Sequence, residues 1–260
     1  MAELEYEVEN DVGTILLNRP EKKNAFNLET LHRWDEALRE VRTDDSVGAV
    51  VLTEAGDAFC AGATSRVSRR TPRASRRRTT ARRSSRITST GSPTPSKTWT
   101  SRSSPRSTGS PVGSGLNFAL MCDVRFAART ARMSGGYIKV RLVPGDGGCY
   151  WLPRLVRTAK ALELRLTGDF VDAGEAHRIG LVNRVYEDED LVQETKAFAE
   201  KLAAGPPRIT RMIKHAVYQS ARSDLRASLG LISSHMGIVQ SVEESHETFN
   251  AFRGKRAPNF

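Results

Sequence analysis

Three small-residue segments hold the groups best placed to do chemistry: Phe59-Cys60-Ala61-Gly62-Ala63, Gly113-Ser114-Gly115-Leu116-Asn117 and Val143-Pro144-Gly145-Asp146-Gly147-Gly148. Small residues let a ligand approach the backbone closely, and Asp146 supplies a carboxylate in the third segment. Each turn, taken alone, also reads as an ordinary strand-to-helix connection. The five histidines, His32, His177, His215, His235 and His246, show no metal or triad spacing. Cys60, Cys122 and Cys149 are too few and too dispersed for a disulfide framework or a zinc site, so no metal is expected.

The elements that must position these segments follow from patterning. Val12 to Asn18 is a short apolar run stopped at Arg19-Pro20, and VGAVVLT from Val47 to Thr53 suits a strand covered on both faces. Between them Leu31, Trp34, Leu38 and Val41 recur at helical spacing behind Asn27, an N-cap residue, with Glu29 in the first turn. The predicted order is β-β-α-β. After Pro111 the second small-residue turn feeds an apolar helix over Phe118 to Met121, and a strand follows from Val124 to Ala128. Helices are predicted over Leu191 to Ala203, from Pro206-Pro207 through Tyr218, and over Leu225 to Phe252. Strands first and helices last imply an α/β core, placed at 1–200, with a helical C-terminal region at 201–260.

The 260 residues include 40 Lys and Arg against 30 Asp and Glu, a formal net charge of +10 that by itself suggests a nucleic-acid partner. Its distribution argues otherwise. Residues 64–111 carry 12 Arg, one Lys and no acidic group, whereas the rest of the chain holds 27 basic and 30 acidic groups. A basic tract inside a mildly acidic protein does not make a DNA-binding surface spread over the fold. No apolar run approaches the ~20 residues of a membrane helix, and Glu3, Glu5 and Glu7 replace the basic start of a signal peptide. A cytoplasmic protein without membrane contact is expected.

Four segments together resemble the enoyl-CoA hydratase/isomerase (crotonase) superfamily: Leu17-Asn18-Arg19-Pro20 through Asn24-Ala25-Phe26, Phe59 through Ala63, Gly113 through Asp123, and Leu142 through Gly148. The ending Phe252-Arg253-Gly254-Lys255-Arg256 is similar to the family's final helix. The resemblance implies a crotonase-type spiral of ββα units with a helical C-terminal region that assembles a homotrimer or a dimer of trimers. It implies an acyl-CoA substrate, with coenzyme A as part of that substrate and no tightly bound cofactor. The reaction would be hydration or isomerisation of an enoyl-CoA through a thioester enolate, whose oxygen is stabilised by two backbone N–H groups.

By motif position those donors are the amides of Ala63 and Ser114, the second gaining from the helix it opens. Ala61 and Gly62 belong to the same turn. Lys22, Lys23, Asn24 and Ala25 match the loop that takes the adenine and phosphate end of coenzyme A, and Phe252 and Lys255 match residues that reach it, often from a neighbouring subunit. The sequence departs from the family at two positions where hydratases carry glutamates, which here hold Asn117 and Tyr137. Neither amide nor phenol is a carboxylate base near neutral pH, so hydratase turnover by this chain is expected to be weak or absent. Asp146 and Tyr137 are the remaining catalytic candidates, for another reaction of the superfamily; Asp146 is equally readable as a turn residue and Tyr137 as pocket wall. A non-catalytic CoA-binding or nucleic-acid-binding protein is the alternative from another class.

Residues 64–111 also hold 13 Ser, 10 Thr and 5 Pro, a composition that cannot bury enough surface to offset its ordering entropy. Yet the family needs a helix and a strand there. Reading each codon's third base with the next codon's first two, Ala63-Thr64-Ser65 permits Asp then Leu or Val, and Ser101 to Gly109 permits Pro-Val-Ile-Ala-Ala-Val-Asn-Gly, the family's usual continuation at both ends. The segment is therefore read as a frame-shifted piece of core; an Arg/Ser-rich nucleic-acid-binding loop or a phosphorylated linker are the competing readings.

Overall fold

The chain begins with a hairpin, β1 (Leu4–Glu9) antiparallel to β2 (Val12–Leu17), in which Glu9 lies opposite Val12. Asn10 and Asp11 make the turn with φ of 51° and 60°, the left-handed region that these two residue types tolerate. The computed structural model describes residues 2–62, 98–103 (by backbone), 111–258 and 260.

Helix α1 (Leu28–Thr43) starts where expected: Asn27 Oδ1 accepts the Thr30 amide at 2.8 Å. Its inner face buries Trp34, Ala37 and Val41, with Leu31 and Leu38 half-buried beside them. Strand β3 (Ala49–Glu54) follows, and every one of its residues is buried. Strands β4 (Thr98–Ser103), β5 (Val124–Ala128) and β8 (Arg184–Tyr186) complete a six-stranded sheet in the order β1-β2-β3-β4-β5-β8, parallel from β2 onward. Strand β4, with the sequence TWTSRS, therefore lies centrally between β3 and β5. A small second sheet pairs β6 (Arg132–Ser134) antiparallel with β7 (Phe170–Asp172).

Three helices surround the site: α2 (Ser114–Leu120), α3 (Gly148–Val156) and α4 (Thr158–Thr167). Phe118 of α2 packs edge-on against Phe26 at 4.5 Å between ring centres and lies 5.2 Å from Trp34, tying the second small-residue turn to α1. After α5 (Ala173–Arg178), helix α6 (Leu191–Ala203) buries Ala199 against Val12, Ala49 and Val51. This helix crosses the 200/201 boundary drawn from the sequence, because the sheet needs its last turns as cover.

The predicted helix over 225–252 is two helices, α8 (Leu225–Val239) and α9 (Glu243–Arg253), preceded by α7 (Pro207–Ser220). The Ser245 hydroxyl donates to the Val239 carbonyl at 2.6 Å across the break. These helices leave Ile213, Val217, Leu229, Met236, Phe249 and Phe252 exposed. No helix among the described residues is long and apolar enough to cross a membrane.

Candidate active site

Two backbone turns meet first. The Val112 amide donates to the Cys60 carbonyl at 3.1 Å, the Ala61 amide to Lys23 O at 3.0 Å and the Phe26 amide to Gly62 O at 2.8 Å. The turn at 60–62 is thus clamped between the loop at 23–26 and the entry to α2. Gly62 has φ of 92°, and a β-carbon there would stand 3.4 Å from Val112 O and 3.7 Å from the Ser114 nitrogen. Gly115 lies against the Cys60 backbone so closely that any side chain would collide with its carbonyl. Ser114, half-buried, is the first residue of α2, where helix geometry leaves the amide proton without an intrahelical acceptor. Ala63, the other expected donor, lies outside the described residues.

Over these turns sits a polar cluster. Strand β6 reaches the α2 entry through the Gly113 amide, which donates to Ser134 O at 3.1 Å. The 3-10 turn Tyr137–Val140 then brings the Tyr137 hydroxyl 3.0 Å from Ser114 Oγ. Asp146, in the glycine-rich loop before α3, accepts a hydrogen bond from the Tyr137 hydroxyl on Oδ2 at 2.5 Å, and its Oδ1 accepts from Asn117 Nδ2. Asn117 Nδ2 also donates to the Tyr137 oxygen at 3.0 Å. Asn117 is fully buried, and a buried amide must find partners. Burial chiefly, then the Asp146 charge and the bond to it, pushes the Tyr137 phenol well above its ordinary 10.0. Tyr137 is therefore a donor, not a base, throughout the working pH range.

Sequence reasoning missed Arg165. Its Nη2 donates to Asn117 Oδ1 at 2.7 Å and to Gly148 O at 3.0 Å. A signal existed: Arg165 stands four residues after buried Ala161 and so shares its face of α4. Gly148 makes the contact possible, since a β-carbon there would overlap both Asn117 and Arg165.

The expected coenzyme A residues fall into separate groups. Lys22 and Lys23 are exposed at the 3-10 turn Pro20–Lys22, with Ala25 half-buried and Ala61 exposed beside them. Asn24 is 2% exposed, and its side chain works inside the protein. Its Oδ1 accepts the Arg19 amide at 2.7 Å, and its Nδ2 donates to Ala55 O and Ala58 O at 2.9 and 2.6 Å. Phe252 is 84% exposed near the end of α9, and neither it nor exposed Lys255 forms a hydrogen bond or ion pair to the 20–25 loop among the described residues. No group of His, Cys, Asp and Glu among the described residues could hold a metal ion.

The family model described as enoyl-CoA hydratase/isomerase matches residues 7–260. A "probable enoyl-CoA hydratase" of Mycobacterium bovis is 34% identical, over 97% of this chain and 96% of its own length. A 1,2-epoxyphenylacetyl-CoA isomerase of Escherichia coli is 30% identical, over 97% and 96%. The crystal structure of an enoyl-CoA hydratase from Bacillus anthracis superimposes with a TM-score of 0.91 at 27% identity, over 99% of this chain and 98% of that one. Proteins named for different reactions thus lie at similar distances, so the reaction must be argued from the side chains.

Proposed function

Because the chain belongs to the enoyl-CoA hydratase/isomerase (crotonase) family, whose substrates are CoA thioesters, we propose that it moves a proton within an enoyl-CoA, with Asp146 as the carboxylate base. The observation that carries this is the position of Asp146: held by Tyr137 and Asn117 beside Ser114, it is the acidic residue of a cluster whose other members are neutral or cationic. The thioester oxygen lies at the Ser114 amide, where negative charge develops as the enolate forms, and Ala63 is the second donor that the resemblance implies. The Asp146 carboxylate takes a proton from the α-carbon of a 3-enoyl thioester, and the electrons pass to that oxygen. The carboxyl group so formed exchanges its proton with solvent and delivers a proton to the γ-carbon, leaving a 2-enoyl thioester. One carboxylate suffices for this because no water is added.

Hydration is the second reading, favoured by the name of the Mycobacterium bovis relative, but it asks for water activation as well as protonation at carbon. Lys22 and Lys23 suit the phosphates of coenzyme A, with Asn24, Ala25, Ala61 and Gly62 forming the backbone around them. Phe252 and Lys255 reach that end from a neighbouring subunit, consistent with a homotrimer or a dimer of trimers in which the exposed apolar residues of α7, α8 and α9 are covered. A cytoplasmic location accords with this substrate. The test is Asp146→Asn in the full chain: deuterium uptake from solvent into an enoyl-CoA should fall by about 10²- to 10⁴-fold with thioester binding retained. Undiminished uptake would rule Asp146 out as the base.

A further inference from the structure

Arg165 enters the cluster as a group that donates hydrogen bonds and never accepts them. With Asn117 Oδ1 occupied by the guanidinium, Asn117 Nδ2 must face the opposite way, toward Tyr137 and Asp146. The Tyr137 oxygen then accepts from Asn117, so its single proton goes to Asp146 Oδ2. Hydrogen bonds therefore run one way, from guanidinium to amide, and from amide and phenol to the carboxylate. Were the Asn117 amide turned over, Oδ1 would confront Asp146 and the phenol would lose a donor.

We propose that Arg165 is a positioning residue which, by holding Asn117 Oδ1, sets the direction of the hydrogen bonds that reach Asp146 and keeps its carboxylate aimed as a proton acceptor. This rests on the reading of Asp146 as the base. The placement of the guanidinium supports a specific use. Its Nε and Nη1 are buried with no acceptor among the described residues, a desolvation that an apolar side chain on this face of α4 would avoid. Gly135 and Gly148 leave the space: a β-carbon at Gly135 would stand 2.9 Å from Nη1. The hydrogen bonds Arg165 does make go to Asn117 and to the Gly148 carbonyl, two residues from Asp146.

The test measures solvent deuterium uptake into an enoyl-CoA, the dissociation constant of a saturated acyl-CoA and the melting temperature, all on the full chain. Arg165→Met should slow uptake by about 10- to 100-fold, the scale on which an outer orienting group acts, with the dissociation constant changed by less than about twofold. Arg165→Lys should recover part of the rate, since an ammonium still donates to Oδ1. Asn117→Asp keeps a partner for Arg165 but replaces the donors facing Asp146 with an acceptor, so uptake should fall at least as far while the fold is kept. Wild-type uptake in Arg165→Met or in Asn117→Asp would overturn the proposal. So would equal loss of rate, binding and melting temperature in Arg165→Met and Arg165→Lys, which marks a purely structural role. If Arg165→Met does not fold, Asn117→Asp decides. Normal uptake by Asp146→Asn would remove the base itself, whereas an inactive Asp146→Asn beside a normal Arg165→Met would remove only the role of Arg165.

Discussion

The Tyr137 hydroxyl donates to Asp146 Oδ2 at 2.5 Å while its oxygen lies 3.0 Å from Ser114 Oγ. One phenol thereby links the loop that carries the carboxylate to the residue that opens α2. At the position that the resemblance matches to a glutamate of hydratases, this chain thus holds a hydrogen-bond donor to Asp146.

Tyr137→Phe removes that donor and leaves Asn117 as the described side chain bonded to Asp146. Deuterium uptake into an enoyl-CoA should fall by about tenfold, the loss of roughly one oriented hydrogen bond to a charged group, with the ring still filling its place. Because the phenol is held far above its ordinary 10.0, the wild-type rate should show no alkaline decline near pH 10 that Tyr137→Phe abolishes. Such a decline would contradict the assignment of Tyr137 as a fixed donor.

Gly115→Ala places a methyl group into the Cys60 carbonyl. Overpacking of this kind costs about 1–3 kcal/mol or more. It also pushes the 60–62 turn away from Ser114, so acyl-CoA binding should weaken together with the urea midpoint. A variant with unchanged midpoint and unchanged binding would show that the two turns do not depend on this close approach.

Burial pushes the Cys60 thiol from its ordinary 9.0 up to about 12. Below pH 9 the thiol is protonated whether the chain is folded or not; above it, the unfolded chain ionises first. Stability should therefore be intact below pH 9 and fall as pH rises from there toward about 12, at up to about 1.4 kcal/mol per pH unit for one group. Between pH 9 and 10 this loss precedes ordinary tyrosine ionisation, and Cys60→Ala should flatten it in urea titrations. An identical slope in the variant would assign the loss elsewhere.

Strand β4 reads TWTSRS although it lies between β3 and β5 in a parallel sheet, where strands covered on both faces are apolar. Rewriting 64–109 in the offset frame, with Asp-Leu after Ala63 and Pro-Val-Ile-Ala-Ala-Val-Asn-Gly at the far end, should raise the urea midpoint and the deuterium-uptake rate together. The intact mass of the protein from its native source should match the rewritten chain. A native mass equal to the Arg-rich sequence would reject the frame reading.

Local rules made much of this protein legible from residue order alone. The Asn27 cap, strand Val124–Ala128 and helix Leu191–Ala203 follow from neighbours two to four positions apart, and the order of the glycine-containing turns pointed to the crotonase fold. Continuous helical patterning over 225–252 hid the break after Val239, because Gln240 to Val242 contain neither glycine nor proline. Tertiary structure alone decided what the polar residues do. The side chain of Asn24, in the loop expected at the ligand, ties Arg19 to Ala55 and Ala58. Asn117 meets Tyr137, Asp146 and Arg165 across 20, 29 and 48 residues of chain. Periodicity is set by adjacent turns of the same element and is readable locally, whereas a buried donor finds its acceptor only when separate elements pack, and that packing made Arg165 part of the site.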